Sequence, residues 1–136
     1  MRHRNKLKKL ALPADQRKAL IRSLATSLFM HDQIMTTKTR GKVLAQHANK
    51  IVTLAKRGDL HAIRQVVGMI YNQPTGETIK DQQNGKERDI PETVLRRIFR
   101  TVAPRLKERQ GGYVRVIPAP PRRGDAAPMA LIQLSD

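Results

Sequence analysis

The chain has 136 residues, enough to bury one substantial core but not two independent ones, and its 27 Lys plus Arg against 11 Asp plus Glu give a formal net charge of +16. A surplus that large repels itself unless counter-charge is bound, so a polyanionic partner is expected. The absence of cysteine excludes a disulfide framework, a thiolate metal site and a Cys nucleophile, and no apolar run approaches the ~20 residues needed to span a bilayer.

The charge is uneven: residues 1–58 hold 14 basic and 2 acidic side chains, residues 59–136 hold 13 and 9, so the amino-terminal half should face the anion. Residues 1–12, MRHRNKLKKLAL, contain no acid and no sustained periodicity and read as an extended basic arm of the mature sequence. Pro13 suits a helix start, and in ADQRKALIRSLATSLFMH the residues Leu20, Leu24 and Leu28 recur at four-residue spacing, with Arg17, Lys18 and Arg22 toward the wet side. Residues 32–37, DQIMTT, read as a brief strand. Thr37 or Thr39 can cap a second helix through Arg57, with Val43, Leu44, Ala48, Ile51 and Leu54 inward, and Gly58 supplies the left-handed residue that stops it. Asp59 can cap a third helix carrying Ile63, Val66, Val67 and Ile70.

From residue 73 to 89 the chain is polar, with Pro74, Gly76, Asn84 and Gly85, and reads as a long surface loop. Pro91 should begin a fourth helix with Val94, Leu95, Ile98, Phe99 and Val102 buried and Arg96, Arg97 and Arg100 outside, ended by Pro104. After the turn Gly111-Gly112, residues 113–117 and 129–134 read as strands of a hairpin. The four prolines of PAPPRRGDAAP force the intervening segment to loop out, with Arg123-Gly124-Asp125 at its tip.

The four histidines, His3, His31, His47 and His61, lack the i, i+4 spacing of a helical metal site, and His31-Asp32 is the one adjacent His and carboxylate pair; no metal, cofactor or catalytic residue is expected. No Gly-rich phosphate cradle is present. An adhesion role for the Arg-Gly-Asp tripeptide would need secretion, which nothing in the sequence indicates. Arg122 and Arg123 beside Arg115 instead offer guanidinium forks to phosphate, with Gly124 permitting close approach. Three basic groups coincide in the first half: the arm, the face with Arg17, Lys18 and Arg22, and Lys38, Arg40 and Lys42 at the start of the second helix. That pattern points to nucleic acid bound with steep salt dependence. Only Phe29, Tyr71, Phe99 and Tyr113 are aromatic, so base stacking cannot dominate, and recognition should run through backbone and shape, a mode that folded RNA rewards.

The stretches MRHR, PADQRKALIRSLATSLF, QIMTT, IVTLAKRGDLHA, VAPR, GGYVRV and RRGDAAPMALIQL, in order from Met1 to Leu134, resemble the bacterial ribosomal large-subunit protein seventeen family. The resemblance implies a structural, non-enzymatic protein that binds ribosomal RNA of the large subunit near the outlet of the peptide exit tunnel, beside neighbouring ribosomal proteins, in a bacterial cytoplasm or an organelle. The contacts it implies are Arg2, His3, Arg4, Lys6, Lys8 and Lys9 of the arm; Arg17, Lys18, Arg22, Lys38 and Arg40 on helices; and Arg115, Arg122 and Arg123 of the hairpin. Residues 73–89 depart from the family pattern as a hydrophilic insertion.

The expected fold is therefore α/β in the α+β sense: one compact domain over residues 13–136, about four helices on a small mixed sheet that includes the carboxy-terminal hairpin, preceded by the basic RNA-binding arm of residues 1–12. A free nucleoid-type DNA-binding protein is the alternative that charge alone allows. An RNA-processing enzyme would need carboxylates near the basic face, where only Asp15 and Asp32 occur in the first 58 residues.

Overall fold

Helix α1 begins directly after Pro13 and runs Ala14–His31 in the computed structural model, which describes residues 8–83 and 86–135, the side chains of 81–83 and 86–88 excepted. Its buried residues, Ala25, Thr26, Leu28 and Phe29, lie in its second half, so the helix enters the core only there and its first turns stay largely uncovered. Asp32 ends it in the left-handed region at φ 60°, a conformation that a short polar side chain tolerates, and turns the chain into strand β1, Gln33–Thr37.

Helix α2, Lys38–Arg57, follows without a linker and stops at Gly58, whose φ of 67° is the left-handed stop expected there. Thr37 occupies the cap position but makes no side-chain cap bond. The helix buries Gly41, Leu44, Ala48, Ile51, Val52, Leu54 and Ala55, a stripe broad enough to meet neighbours on several sides. Helix α3, Leu60–Val67, buries Ala62 and Val66, while Val67, expected inside, is 48% exposed because it sits on the far side of this short helix.

Strand β5, Met129–Leu134, lies between β1 and β4, Val114–Ala119. Thr37 pairs with Met129, and Met129 with Ala119; Gln33 pairs with Gln133, and Gln133 with Arg115. Both pairings are antiparallel, so the sheet is not mixed: β4 and β5 form a hairpin, and β1 enters from the end of α1 running against β5. Ala130, Ile132 and Leu134 face the helices and are buried. The opposite face, with Met35 63% and Ile117 41% exposed, is uncovered.

The polar stretch expected to be a loop is a β-hairpin, β2 Pro74–Gln83 with β3 Lys86–Thr93. Pairs such as Ile79 with Ile90 and Lys80 with Asp89 set its register. Pro91 therefore belongs to a strand, opposite Thr78, and does not start a helix. In a two-stranded ribbon the outer edge needs no N–H donor, so a proline is tolerated there. The fourth helix, α4, instead begins at Val94 with Thr93 as its cap, the Thr93 hydroxyl accepting from the Arg96 N–H at 3.5 Å. It is α-helical at Val94–Arg97, π-helical at Ile98–Val102 and α-helical again at Ala103–Arg105. Pro104, expected to end it, is passed because the π turn shifts the bonding by one residue: Ala103 N–H donates to the Ile98 carbonyl, and the missing proline N–H falls where the register changes.

Arg97 is not on the outer face. It pairs with Asp32 at 2.9 Å, Glu77 at 3.6 Å and Glu92 at 3.8 Å, and Arg105 adds a contact to Asp32 at 3.8 Å. This cluster ties the β2–β3 hairpin and α4 to the α1–β1 corner.

Two substitutions test these joints. Arg97→Ala strands Glu92, only 5% exposed, without its cation and should cost about 3 kcal/mol in urea unfolding. At Gly41 an added Cβ would stand 2.4 Å from Ile132 Cδ1 and 3.3 Å from its Cγ1. Overpacking of about 1–3 kcal/mol then outweighs a helix-propensity gain of about 1 kcal/mol, so Gly41→Ala should lower the urea midpoint, whereas a raised midpoint would show that Ile132 yields freely.

Candidate nucleic-acid interface

Two basic surfaces are assembled from residues distant in sequence. The first forms at one end of the sheet. Lys38 N–H donates to the Pro128 carbonyl at 2.8 Å, and Thr37, Met129 and Ala119 are aligned across the three strands. The loop carrying Arg122 and Arg123 therefore leaves the sheet beside the first turn of α2. With Gly41 turned to the sheet, Lys38, Arg40 and Lys42 are exposed. The first turn of α2 contains no acid, so its cations stand against the positive end of the helix dipole, an arrangement that costs roughly 0.3–1 kcal/mol per charge and that an anion would reverse.

Arg122 and Arg123 differ within that surface. Arg122 forks onto Asp125, Nε to Oδ1 at 3.1 Å and Nη2 to Oδ2, and Asp125 also accepts from the Ala127 N–H at 3.2 Å. Gly124, at φ 101°, takes a backbone conformation that glycine alone adopts readily, so its role is to make this turn. The tripeptide is thus the closure of a hairpin loop, and one of the loop's two arginine charges, that of Arg122, is answered from within it by Asp125. Arg123 is exposed and makes no ion pair among the described residues.

Arg115 does not join them. It lies opposite Gln133, four residues along β4 from Ala119, which at ~3.3 Å per residue puts it ~13 Å away along the strand. The length of β4 separates Arg115 from the loop that carries Arg122 and Arg123.

The second surface lies where α1, α2 and the end of α3 meet. Thr26 donates to the Arg22 carbonyl at 2.8 Å and accepts from the Tyr71 N–H at 3.0 Å, which fixes the segment after α3 against α1. Arg22 in turn donates to the Gly68 carbonyl and lies 5.9 Å from the centre of the Tyr71 ring. Lys18 lines the same cleft with Arg22. Arg17 is turned back, Nη1 donating to the Leu12 carbonyl at 3.4 Å. From α2 the cleft receives His47, one of the four histidines expected to be solvated or to face phosphate. The signal was present in its position between Leu44, Ala48 and Ile51, at the border of the buried stripe.

Lys8 and Lys9 are exposed beside a turn closed by Leu12 N–H to the Lys9 carbonyl at 3.2 Å; Arg2, His3, Arg4 and Lys6 lie outside the described residues. Asp32, one half of the His31-Asp32 pair, is engaged by Arg97 and Arg105. Among the described residues no carboxylate pairs with Lys18, Arg22, Lys38, Arg40 or Lys42, no group of three or more His, Cys, Asp or Glu could hold a metal ion, and no helix is long and apolar enough to cross a membrane.

The family model described as Ribosomal protein L17 matches residues 20–135. The chain belongs to the ribosomal protein L17 family. Curated L17 relatives named "Large ribosomal subunit protein bL17" from Streptococcus sanguinis (strain SK36) and Streptococcus gordonii (strain Challis) are each 42% identical to it over 127 residues, covering 93% of this chain and 97% of the relative. One from Streptococcus pneumoniae (strain Hungary19A-6) matches to the same extent. As an L17 family member the chain is a structural ribosomal protein.

The loop pair gives a direct pH test. The Arg122 guanidinium, then the Ala127 N–H, hold the Asp125 carboxyl down to about 2. A lowered carboxyl pKa means the pair is intact above the ordinary carboxylate value and is lost as pH falls through about 2. In Arg122→Ala the Asp125 carboxyl, followed by NMR, should move up toward the ordinary ~3.9 while the Ala127 N–H still holds it below that value; an unchanged titration would show that the backbone donor alone sets it.

Proposed function

We propose that this protein is a structural component of the large ribosomal subunit that binds and stabilises ribosomal RNA, near the outlet of the peptide exit tunnel as the family resemblance implies. The observation that carries the reading is the convergence of Lys38, Arg40 and Lys42 with Arg123 on one end of the sheet, with no carboxylate paired to them among the described residues. Such an array neutralises phosphates and releases their counterions, and it positions backbone rather than reading bases. Lys18 and Arg22 extend it along α1, and the arm of residues 1–12, Arg2, His3, Arg4, Lys6, Lys8 and Lys9 included, would thread between RNA helices. The names of the bL17 relatives support the large subunit as the assembly. The uncovered sheet face around Met35 and Ile117 suits a neighbouring ribosomal protein.

Sedimentation of a gentle lysate should place the chain with large subunits through a moderate salt wash. Binding to deproteinised large-subunit RNA should show a steep salt dependence whose slope falls by about one for Arg123→Ala and by less for Arg122→Ala, because Asp125 already answers the latter. A chain that stays at the top of the gradient, or that binds duplex DNA equally well, would replace this reading with the nucleoid-type one.

A further inference from the structure

The cleft between α1, α2 and the end of α3 has a volume of about 350 Å³ and is lined by Lys18, Ile21, Arg22, His47, Gly68 and Met69. Across the Gly68–Met69 ridge a second cleft of about 310 Å³ continues to Lys50, Leu54 and Gln65. The cations come from two helices: Lys18 and Arg22 from α1, His47 and Lys50 from α2. What faces them from α3 is backbone, the Gly68 carbonyl accepting from Arg22 and the Met69 carbonyl at 3.1 Å from His47 Nε2. No carboxylate is among the lining residues of either cleft. Because a carbonyl can only accept, Nε2 of His47 must carry the proton in that bond, which assigns the tautomer of the neutral ring.

We propose that this cleft is a phosphate subsite, in which Lys18, Arg22 and His47 receive a backbone phosphate of the bound RNA, with the Lys50 charge nearby across the ridge, and His47 becomes charged as the phosphate enters. The proposal rests on the RNA-binding reading and deepens it by naming a pH-responsive contact. Arg22 is held in place by the Gly68 carbonyl and by the Tyr71 ring, so its remaining guanidinium N–H groups are oriented before any ligand arrives. Ile21 and Met69 supply apolar wall against which a ribose can lie.

The electrostatics of the cleft favour an anion. Burial, then the neighbouring Lys50 and Arg22 charges, push the His47 pKa below its ordinary value against the opposing effect of the Met69 bond, so His47 is neutral at pH 7 when the cleft is empty. A phosphate placed among these groups favours the imidazolium and raises that pKa. A group whose pKa is higher in the complex than in the free protein takes up a proton on binding, so RNA affinity gains as pH falls through the pKa of the complex, and the gain is complete below the pKa of the free protein.

The test follows the His47 ring by NMR through a pH titration of the full chain, alone, with inorganic phosphate and with deproteinised large-subunit RNA, alongside filter binding at pH 8 and pH 6. The expected result is a His47 titration moved upward by RNA, and affinity that tightens several-fold more between pH 8 and pH 6 in the wild type than in His47→Gln, whose amide can still donate to Met69. Comparison with that variant removes the contributions of His3, His31 and His61. An unmoved His47 titration while RNA remains bound would overturn the subsite and leave the RNA-binding reading intact. Absence of RNA binding at every pH would overturn that reading itself. A shift with inorganic phosphate but not with bound RNA would show a site for free anions and likewise overturn the proposal.

Discussion

Ile132, fully buried in the central strand, lies against the first turn of α2 so closely that a Cβ at position 41 would overlap its side chain. That approach sets the height and direction of α2 over the sheet. Because β1 runs into α2 without a linker, the same contact holds Lys38, Arg40 and Lys42 at the strand ends, next to the loop that joins β4 to β5. The rest of the helix then presents Leu44, Ala48, Ile51 and Leu54 to the core, where Leu28 and Phe29 of α1, Val66 of α3 and Ile98 of α4 are buried with them. Moving α2 outward would open the core and scatter the basic surface together.

The acids and bases are divided between two kinds of work. In the second half of the chain, carboxylates meet cations of the same chain: Glu77 and Glu92 on Arg97, Asp125 on Arg122. Asp32 of the first half joins them through Arg97 and Arg105. The cations of α1 and the start of α2 have no such partners among the described residues. A chain of net charge +16 that leaves its cations gathered and unanswered is destabilised by their repulsion, and a bound polyanion stabilises the folded state by relieving it.

Much of the helical architecture was legible because apolar spacing and end signals coincide. Pro13 and the Leu20–Leu24–Leu28 series mark α1, and Gly58 marks the end of α2 at φ 67°. At residues 91–93 two helix-start signals compete, and the later one prevails. Pro91 is an acceptable helix start by itself, but the hairpin of which it is part needs only a tolerant edge strand, and Thr93 supplies the cap. The hairpin is hidden because its sequence offers almost nothing apolar to bury: its strands are polar in both alternating sets, with Ile79 opposite Ile90 as their apolar pair, and periodicity carries no signal there. The dipeptide Asn84-Gly85 between the two runs was the available hint.

The sequence by itself determined the chemistry: a cation excess concentrated in the first half, few aromatics, no cysteine, and helices and strands of defined period. These follow from composition and local spacing, which do not depend on how distant segments meet. The tertiary structure alone decided which cations act together. Arg97 was drawn inside by three carboxylates from separate elements, Arg122 was answered by Asp125 across a turn, Arg115 was carried to the other end of its strand, and His47 was brought between Arg22 and Lys50. Whether a charge is available to a ligand depends on distances of a few ångströms between residues far apart in the chain. Packing and strand register fix those distances, and sequence spacing does not.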